Sequence, residues 1–155
     1  MSDDLDLLRR LGVYTAHSLD ASRGTTRPFL IHNLLYRRSS NIAVGDSGLG
    51  KTPLFMQLGL CVATGRPFLG YPTTPSSVLY LDDETPRDEC DRMLKALMGF
   101  LEIPPSPDPP FYVWNRTWEG VNPHLSYTTV VADHKPSFVI AAPLRPVRPP
   151  AESKA

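Results

Sequence analysis

Residues 45–52 read GDSGLGKT, and they lie between the apolar run NIAV at 41–44 and a longer apolar stretch that begins near Lys51. Glycines permit positive φ angles, so such a segment turns successive backbone N–H groups toward one point. A helix that starts there adds the positive end of its dipole. The spacing matches G-x-x-x-x-G-K-[ST] at every fixed position. We therefore predict a buried strand at 41–44, a phosphate-binding loop, and a helix over about 51–64.

The predicted loop gives its residues distinct roles. Lys51 is placed to meet the β- and γ-phosphates of a nucleotide, and the Thr52 hydroxyl to ligate Mg²⁺. Pro53 has no N–H, which removes one donor from the first helical turn without harming the helix. The plainer alternative, a glycine turn with a solvated lysine, is disfavoured by the flanking strand and helix. The predicted ligands are ATP and Mg²⁺, with phosphate-binding residues Gly45, Asp46, Ser47, Gly48, Leu49, Gly50, Lys51 and Thr52.

The rest of the chain alternates short apolar runs with helical patterns. Strands are predicted at 77–82, 111–114 and 137–142 and helices at about 86–101 and near 124–133, whereas the type of 29–35 stays open. This alternation predicts an α/β fold in which helices flank a mostly parallel sheet. We predict an N-terminal helix and linker at 1–27, a core domain at 28–145 and a flexible proline-rich tail at 146–155.

Three acidic residues, Asp82, Asp83 and Glu84, end the predicted strand at 77–82. This is the edge at which open α/β sheets bind ligands. A carboxylate there can accept a proton from, or orient, the water that attacks a γ-phosphate. The alternative is that these acids stabilise the start of the next helix, for which Thr85 is the predicted N-cap. Beside the phosphate loop, we favour the catalytic role for Glu84 alone.

The composition excludes several classes of function. Sixteen Lys and Arg residues balance sixteen Asp and Glu residues, so no overall field draws the chain to nucleic acid or to an anionic membrane. The four histidines and two cysteines lack metal-ligand spacing, which argues against a zinc site. No apolar stretch of signal-peptide or membrane-span length precedes the first charges. We expect a cytoplasmic protein with reduced thiols.

Four stretches of the chain resemble the RecA-like P-loop ATPases, in particular the hexameric replicative-helicase and plasmid-replication type with an AAA domain. They are RPFLIHNLL at 27–35, NIAVGDSGLGKTPLFMQLGLCVATGRPFLG at 41–70, SSVLYLDDETP at 76–86 and KPSFVIAAPLRPV at 135–147. The resemblance implies that Glu84 is the catalytic base. It also implies assembly into rings, ATP hydrolysis at subunit interfaces and action on DNA.

The resemblance fails at one position of the last apolar run. The family places an aspartate that organises the Mg²⁺ water shell at the end of this strand, and the matching residue is Ala142. Asp82, Asp83 and Asp133 stay open as substitutes. The family's further strands, DNA-contacting loops and arginine that completes a neighbour's site have no counterpart after about residue 145. We therefore expect a shortened relative, a fragment or half of a split ATPase, with a sheet edge that a partner chain or self-association covers.

Three hypotheses of function follow. The first is a Mg²⁺-dependent ATPase, linked to DNA replication or mobile-element maintenance, that uses Glu84. The second is a nucleotide-binding regulatory or split-subunit module without hydrolysis, which Ala142 favours. The third, ranked last, is a small P-loop metabolite kinase, because the proline-rich region after residue 100 does not resemble an arginine-bearing lid.

Overall fold

The computed structural model describes residues 10, 27–46, 48–122 and 124–142. Within residues 27–142 of this part, three helices and five strands form, and from residue 51 onward they follow the predicted order. The strands are β1 (Phe29–Ile31), β2 (Leu35–Tyr36), β3 (Val78–Leu81), β4 (Phe111–Trp114) and β5 (Phe138–Ala141). The helices are α1 (Lys51–Thr64), α2 (Arg87–Phe100) and α3 (Tyr127–His134).

A three-stranded parallel sheet organises the domain, in the order β4-β3-β5. Central strand β3 pairs in register with both neighbours, Val78 lying opposite Phe111 on one side and Phe138 on the other. All four residues of β3 are buried. A strand that is covered on both faces needs no polar alternation, which explains the continuous apolar run VLYL. The predicted α/β class with a parallel sheet and flanking helices is confirmed.

Helix α1 packs across the middle of this sheet. A Cβ atom built on Gly59 would collide with the Phe111 ring of β4 and would lie 3.1 Å from Ile140 Cδ1 of β5. The glycine therefore lets the helix backbone approach the sheet closely. At its far end, Val62 O accepts a hydrogen bond from Ser76 N, just before β3 begins. Helix α1 thus runs antiparallel to β3, and its first residues lie toward the carboxyl end of that strand.

The segment 29–35, whose type the sequence left open, forms an antiparallel hairpin of β1 and β2 that extends to Tyr36. It forms a separate two-stranded sheet. Backbone hydrogen bonds such as Thr74 N to Leu30 O, at 2.8 Å, attach it to the loop between α1 and β3. Its inner residues Leu30 and Ile31 are buried in the same core as α1 and β3.

The prediction of a buried strand at 41–44 is wrong. The segment has no strand assignment, and Ile42 and Val44 are 91% and 93% exposed. A groove of about 800 Å³ has residues 37–43 and residues 137–141 of the β5 region among its lining. An apolar run becomes a strand only when another strand pairs with it, and none does so here among the described residues.

Two further predictions lie largely outside the described residues. The N-terminal helix is represented only by Arg10, which is helical, and the tail at 146–155 is not described. Of the helices in the described part, none has the length and apolar character needed to span a bilayer.

Candidate functional site

The loop before α1 has the backbone geometry that its glycines predict. Gly48 and Gly50 have φ angles of 83° and 75°, in the left-handed region that disfavours L side chains. Gly50 is also the residue that caps α1. Of the eight predicted loop residues, all but Ser47 lie within the described part of the chain.

The start of α1 is unusual in its charge. No acidic side chain lies in its first turn, and no side chain caps its N-terminal amides. Helices ordinarily place acidic residues there, as α2 does with Asp88 and Glu89. Helix α1 instead begins with Lys51, so its positive end has no negative side chain in its first turn to compensate it. Such an end is suited to an external anion.

Lys51 folds back over the loop that precedes it. Its Nζ donates hydrogen bonds to the carbonyl oxygens of Gly45, at 2.8 Å, and of Asp46, at 2.5 Å. These contacts hold the ammonium within the loop. Phosphate oxygens would be stronger acceptors than these carbonyls, because a hydrogen bond between two charged groups is roughly twice as strong as a neutral one.

The acidic turn after β3 lies at the same edge of the sheet as the start of α1. Tyr80, near the end of β3, lies between the two: burial raises the pKa of its phenol and the charge of Asp82 raises it further, whereas the nearby Thr52 side chain lowers it. The hydroxyl has no hydrogen-bond partner among the described residues. The structure therefore brings Thr52 and the beginning of the acidic turn close to the same buried tyrosine.

Asp82 organises the backbone of that turn. Its Oδ1 accepts hydrogen bonds from Glu84 N at 2.7 Å and Thr85 N at 3.2 Å. The predicted N-cap role of Thr85 is wrong, since α2 begins after Pro86 without a side-chain cap. Asp82 binds the amides of Glu84 and Thr85, so it fixes the turn that precedes α2 and not the first turn of the helix.

Asp83 belongs to a buried polar group that joins three elements. Its Oδ2 accepts a hydrogen bond from Arg116 Nη2 at 2.6 Å and another from the Tyr127 hydroxyl. Arg116 Nη2 also lies 3.0 Å from the Tyr127 hydroxyl oxygen and donates to it. Burial and the neighbouring carboxylate raise the pKa of Tyr127 to about 12. This group fixes the end of β3 to the loop after β4 and to the start of α3.

Glu84, the predicted catalytic base, follows directly on this turn. Its side chain is exposed, and its backbone amide is held by Asp82. The backbone that carries this carboxylate is therefore held in place, and the carboxylate itself is accessible to solvent at the edge where α1 begins. The described residues bring no three His, Cys, Asp or Glu side chains together as a protein-only metal site.

Arg116, Tyr127 and Asn115 were not predicted as residues of this edge. Asn115 is fully buried, and its Nδ2 donates to Thr85 O at 3.1 Å. A signal was present, because Asn115 and Arg116 directly follow the predicted strand 111–114. The carboxyl ends of parallel strands meet at one edge, so polar residues after any of these strands belong to the same region.

Comparison with known proteins agrees with this geometry. A family model described as an AAA domain matches residues 6–133, a range that contains the glycine loop, α1 and the acidic turn after β3. No curated protein matches the chain, and no solved structure does. Because the family model spans most of the 155 residues, the chain belongs to the AAA domain family of ATPase-like, nucleotide-binding proteins.

Proposed function

We propose that residues 45–52 bind Mg²⁺·ATP. The observation that carries this proposal is the start of α1, which combines left-handed glycines, a lysine and no acidic residue in the first turn. Lys51 moves from the loop carbonyls to the β- and γ-phosphates. The Thr52 hydroxyl ligates Mg²⁺, which neutralises charge on the phosphates when it is bound.

Binding is tested by the thermal unfolding of the protein in the presence of Mg²⁺·ATP. At a ligand concentration a hundred times Kd, the folded state gains about 2.7 kcal/mol, which raises Tm by several degrees for a domain of this size. Lys51→Ala abolishes the rise, whereas Lys95→Ala, which changes an exposed lysine of α2, keeps it. An unchanged Tm in the wild-type protein contradicts the proposal.

We further propose that the bound ATP is hydrolysed with Glu84 as general base. Glu84 accepts a proton from water as the water oxygen bonds to the γ-phosphorus. The bond to the β,γ-bridging oxygen breaks, so ADP and inorganic phosphate leave. Support comes from the exposed carboxylate on a turn that Asp82 holds rigid at this edge.

Phosphate release measures this step directly. Glu84→Gln lowers the rate by about 10²- to 10⁴-fold, the usual contribution of a general base, and leaves nucleotide binding intact. Glu89→Gln is the matched control, since Glu89 is an exposed acid one turn further on. Equal rates in all three proteins overturn the catalytic role of Glu84.

Binding without turnover is the second candidate function. Ala142 favours it, because an alanine cannot supply the carboxylate that the resemblance assigns to this position. Under this alternative, the protein is a regulatory or split-subunit module. Tight binding of Mg²⁺·ATP with no phosphate release above background supports it, and measurable release that depends on Lys51 excludes it.

We propose that the free edge of β5 is covered by a second copy of this chain. Strand β5 pairs only with β3 within the described part, and the groove beside it has the exposed residues Ile42 and Ala43 among its lining. Each copy thus carries both an unpaired strand edge and an unpaired apolar segment. In a dimer, the apolar segment of each copy covers the strand edge of the other. Analytical ultracentrifugation over a wide concentration range tests this proposal. Ile42→Lys weakens self-association, whereas the control Leu69→Lys does not. A wild-type protein that is monomeric at every concentration overturns the proposal.

A role on DNA rests on the resemblance to replicative helicases. The balanced charge of the chain offers no general attraction to nucleic acid, so contacts must be local. Phosphate release with and without a single-stranded oligonucleotide tests this role. Stimulation that disappears at high salt supports it, and an unchanged rate contradicts it.

A further inference from the structure

The position of Ala142 in the sheet identifies its neighbour. Strands β3 and β5 pair with Tyr80 opposite Ile140 and Leu81 opposite Ala141. Beyond β5, Ala142 N still donates to Leu81 O at 2.9 Å. The next position along β3 is Asp82, so Asp82 and Ala142 lie beside each other on adjacent strands, which are about 4.8 Å apart.

Asp82 and Ala142 also lie on the same face of the sheet as α1. Side chains alternate between faces along a strand, so Asp82 shares a face with Val78 and Tyr80. Both of these residues belong to the core cluster that contains the α1 residues Met56 and Val62. Ala142 packs against that same cluster.

The direction of α1 brings this face to the phosphate loop. Helix α1 runs antiparallel to β3, as the hydrogen bond from Ser76 N to Val62 O shows, and Thr52 in its first turn lies near the Tyr80 hydroxyl. Asp82 is two residues further along, which advances it by about 7 Å toward the loop that precedes α1. It therefore lies near the level at which the loop would hold phosphates.

The Asp82 carboxylate is buried, and only one of its two oxygens accepts hydrogen bonds from the described residues. The residue is 2% exposed, and its Oδ2 has no hydrogen-bond partner among the described residues. A buried carboxylate oxygen without a partner is costly, so its retention calls for a ligand that compensates it.

The two other candidate acids differ from Asp82 in their ionic pairing or in their exposure. Asp83 accepts hydrogen bonds from Arg116 and Tyr127. Asp133 is exposed near the end of α3. Asp82 is thus the one of the three that is buried and has no cationic side chain paired with it among the described residues.

We propose that Asp82 supplies the carboxylate that orders the water shell of nucleotide-bound Mg²⁺, in the place of an acid at Ala142. Compared with an acid at position 142, the Asp82 carboxylate lies on the neighbouring strand, on the same face of the sheet and at the same position along the strands. Mg²⁺ retains several waters and prefers carboxylates in such sites, which suits a carboxylate that acts through water. This inference rests on the proposed binding of Mg²⁺·ATP.

The test compares the affinity for a non-hydrolysable ATP analogue with Mg²⁺ and with EDTA. Asp82→Asn keeps an oxygen for the turn amides and removes the charge. It weakens the Mg²⁺-dependent part of the affinity by about 10- to 100-fold, as loss of an outer-shell partner does, and leaves the affinity in EDTA unchanged. Asp133→Asn is the matched control and changes neither value. Electron paramagnetic resonance of bound Mn²⁺ gives a second readout that needs no turnover.

A rescue variant separates this role from a purely structural one. In Asp82→Asn/Ala142→Asp, the carboxylate returns to the neighbouring strand, and the Mg²⁺ dependence returns with it. Asp82→Asn alone keeps or raises Tm, because a buried charge with a missing partner is removed. Equal Mg²⁺ dependence in wild type and Asp82→Asn overturns this inference alone, and so does an equal loss in Mg²⁺ and EDTA. If the wild type binds no analogue under either condition, the proposed function fails and this inference fails with it.

Discussion

Replacing Arg116 with methionine tests the buried polar group that holds the end of β3. The Arg116 and Asp83 side chains are 10% and 1% exposed, and their closest nitrogen and oxygen lie 2.6 Å apart. Removing one partner of a buried ion pair costs about 3–5 kcal/mol, because the remaining charge stays buried. The Tyr127 hydroxyl still donates to Asp83. We therefore expect Arg116→Met to lower the free energy of unfolding by about 3 kcal/mol, at the low end of that range.

The double variant makes this prediction specific. Asp83→Asn alone leaves the Arg116 cation without its acid and costs a similar amount. Asp83→Asn/Arg116→Met leaves no charge buried in the group, so its loss is about 1 kcal/mol rather than the sum of the two single losses. Urea denaturation followed by circular dichroism measures all four proteins. A loss below about 1 kcal/mol in Arg116→Met, or additive losses in the double variant, refutes the reasoning.

Three further predictions concern packing, pH and thiol chemistry. Gly59→Ala lowers the free energy of unfolding by about 1–2 kcal/mol, because the new Cβ collides with the Phe111 ring of β4. Gly99→Ala has open space around its Cβ and raises the free energy of unfolding by about 0.5–1 kcal/mol. Urea denaturation measures both changes. The pKa of Tyr127 is raised from 10.0 to about 12, so the stability that its neutral phenol contributes is complete below about pH 10 and is lost as the pH rises through about 12. Tyr127→Phe is accordingly less stable than wild type at pH 8, and the difference in urea midpoint shrinks at alkaline pH; a constant difference contradicts the assignment. Burial raises the pKa of Cys61 and that of Cys90, the latter to about 11, so a chromogenic disulfide reagent at pH 8 labels neither thiol until urea unfolds the protein.

Local patterns were enough to predict most of the elements. Helix α1 (Lys51–Thr64) has the predicted limits, and β4 covers the predicted residues Phe111–Trp114. Both have strong local signals, because glycines delimit α1 and prolines precede β4. The backbone of the phosphate loop was equally predictable, since only glycine readily adopts the φ angles found at Gly48 and Gly50.

Features that depend on distant partners were not predictable in this way. The segment 41–44 has a strand's composition, but a strand also needs a neighbour, and that requirement is not local. Asp83 and Arg116 are separated by 33 positions along the chain, so no spacing rule connects them. Thr85 has the side chain of an N-cap, but the N-cap position of α2 falls on Pro86, and Asp82 binds the amides of the turn that precedes it.

Isothermal titration of the purified protein with a non-hydrolysable ATP analogue and Mg²⁺ tests the central claim most directly. We predict saturable binding of one analogue per chain in the wild type and in Lys95→Ala. Lys51→Ala loses the ammonium that the structure holds between Gly45 O and Asp46 O, and its binding falls below detection. Equal affinity in Lys51→Ala and wild type, or the absence of binding in both, contradicts the assignment of residues 45–52 as a phosphate-binding loop.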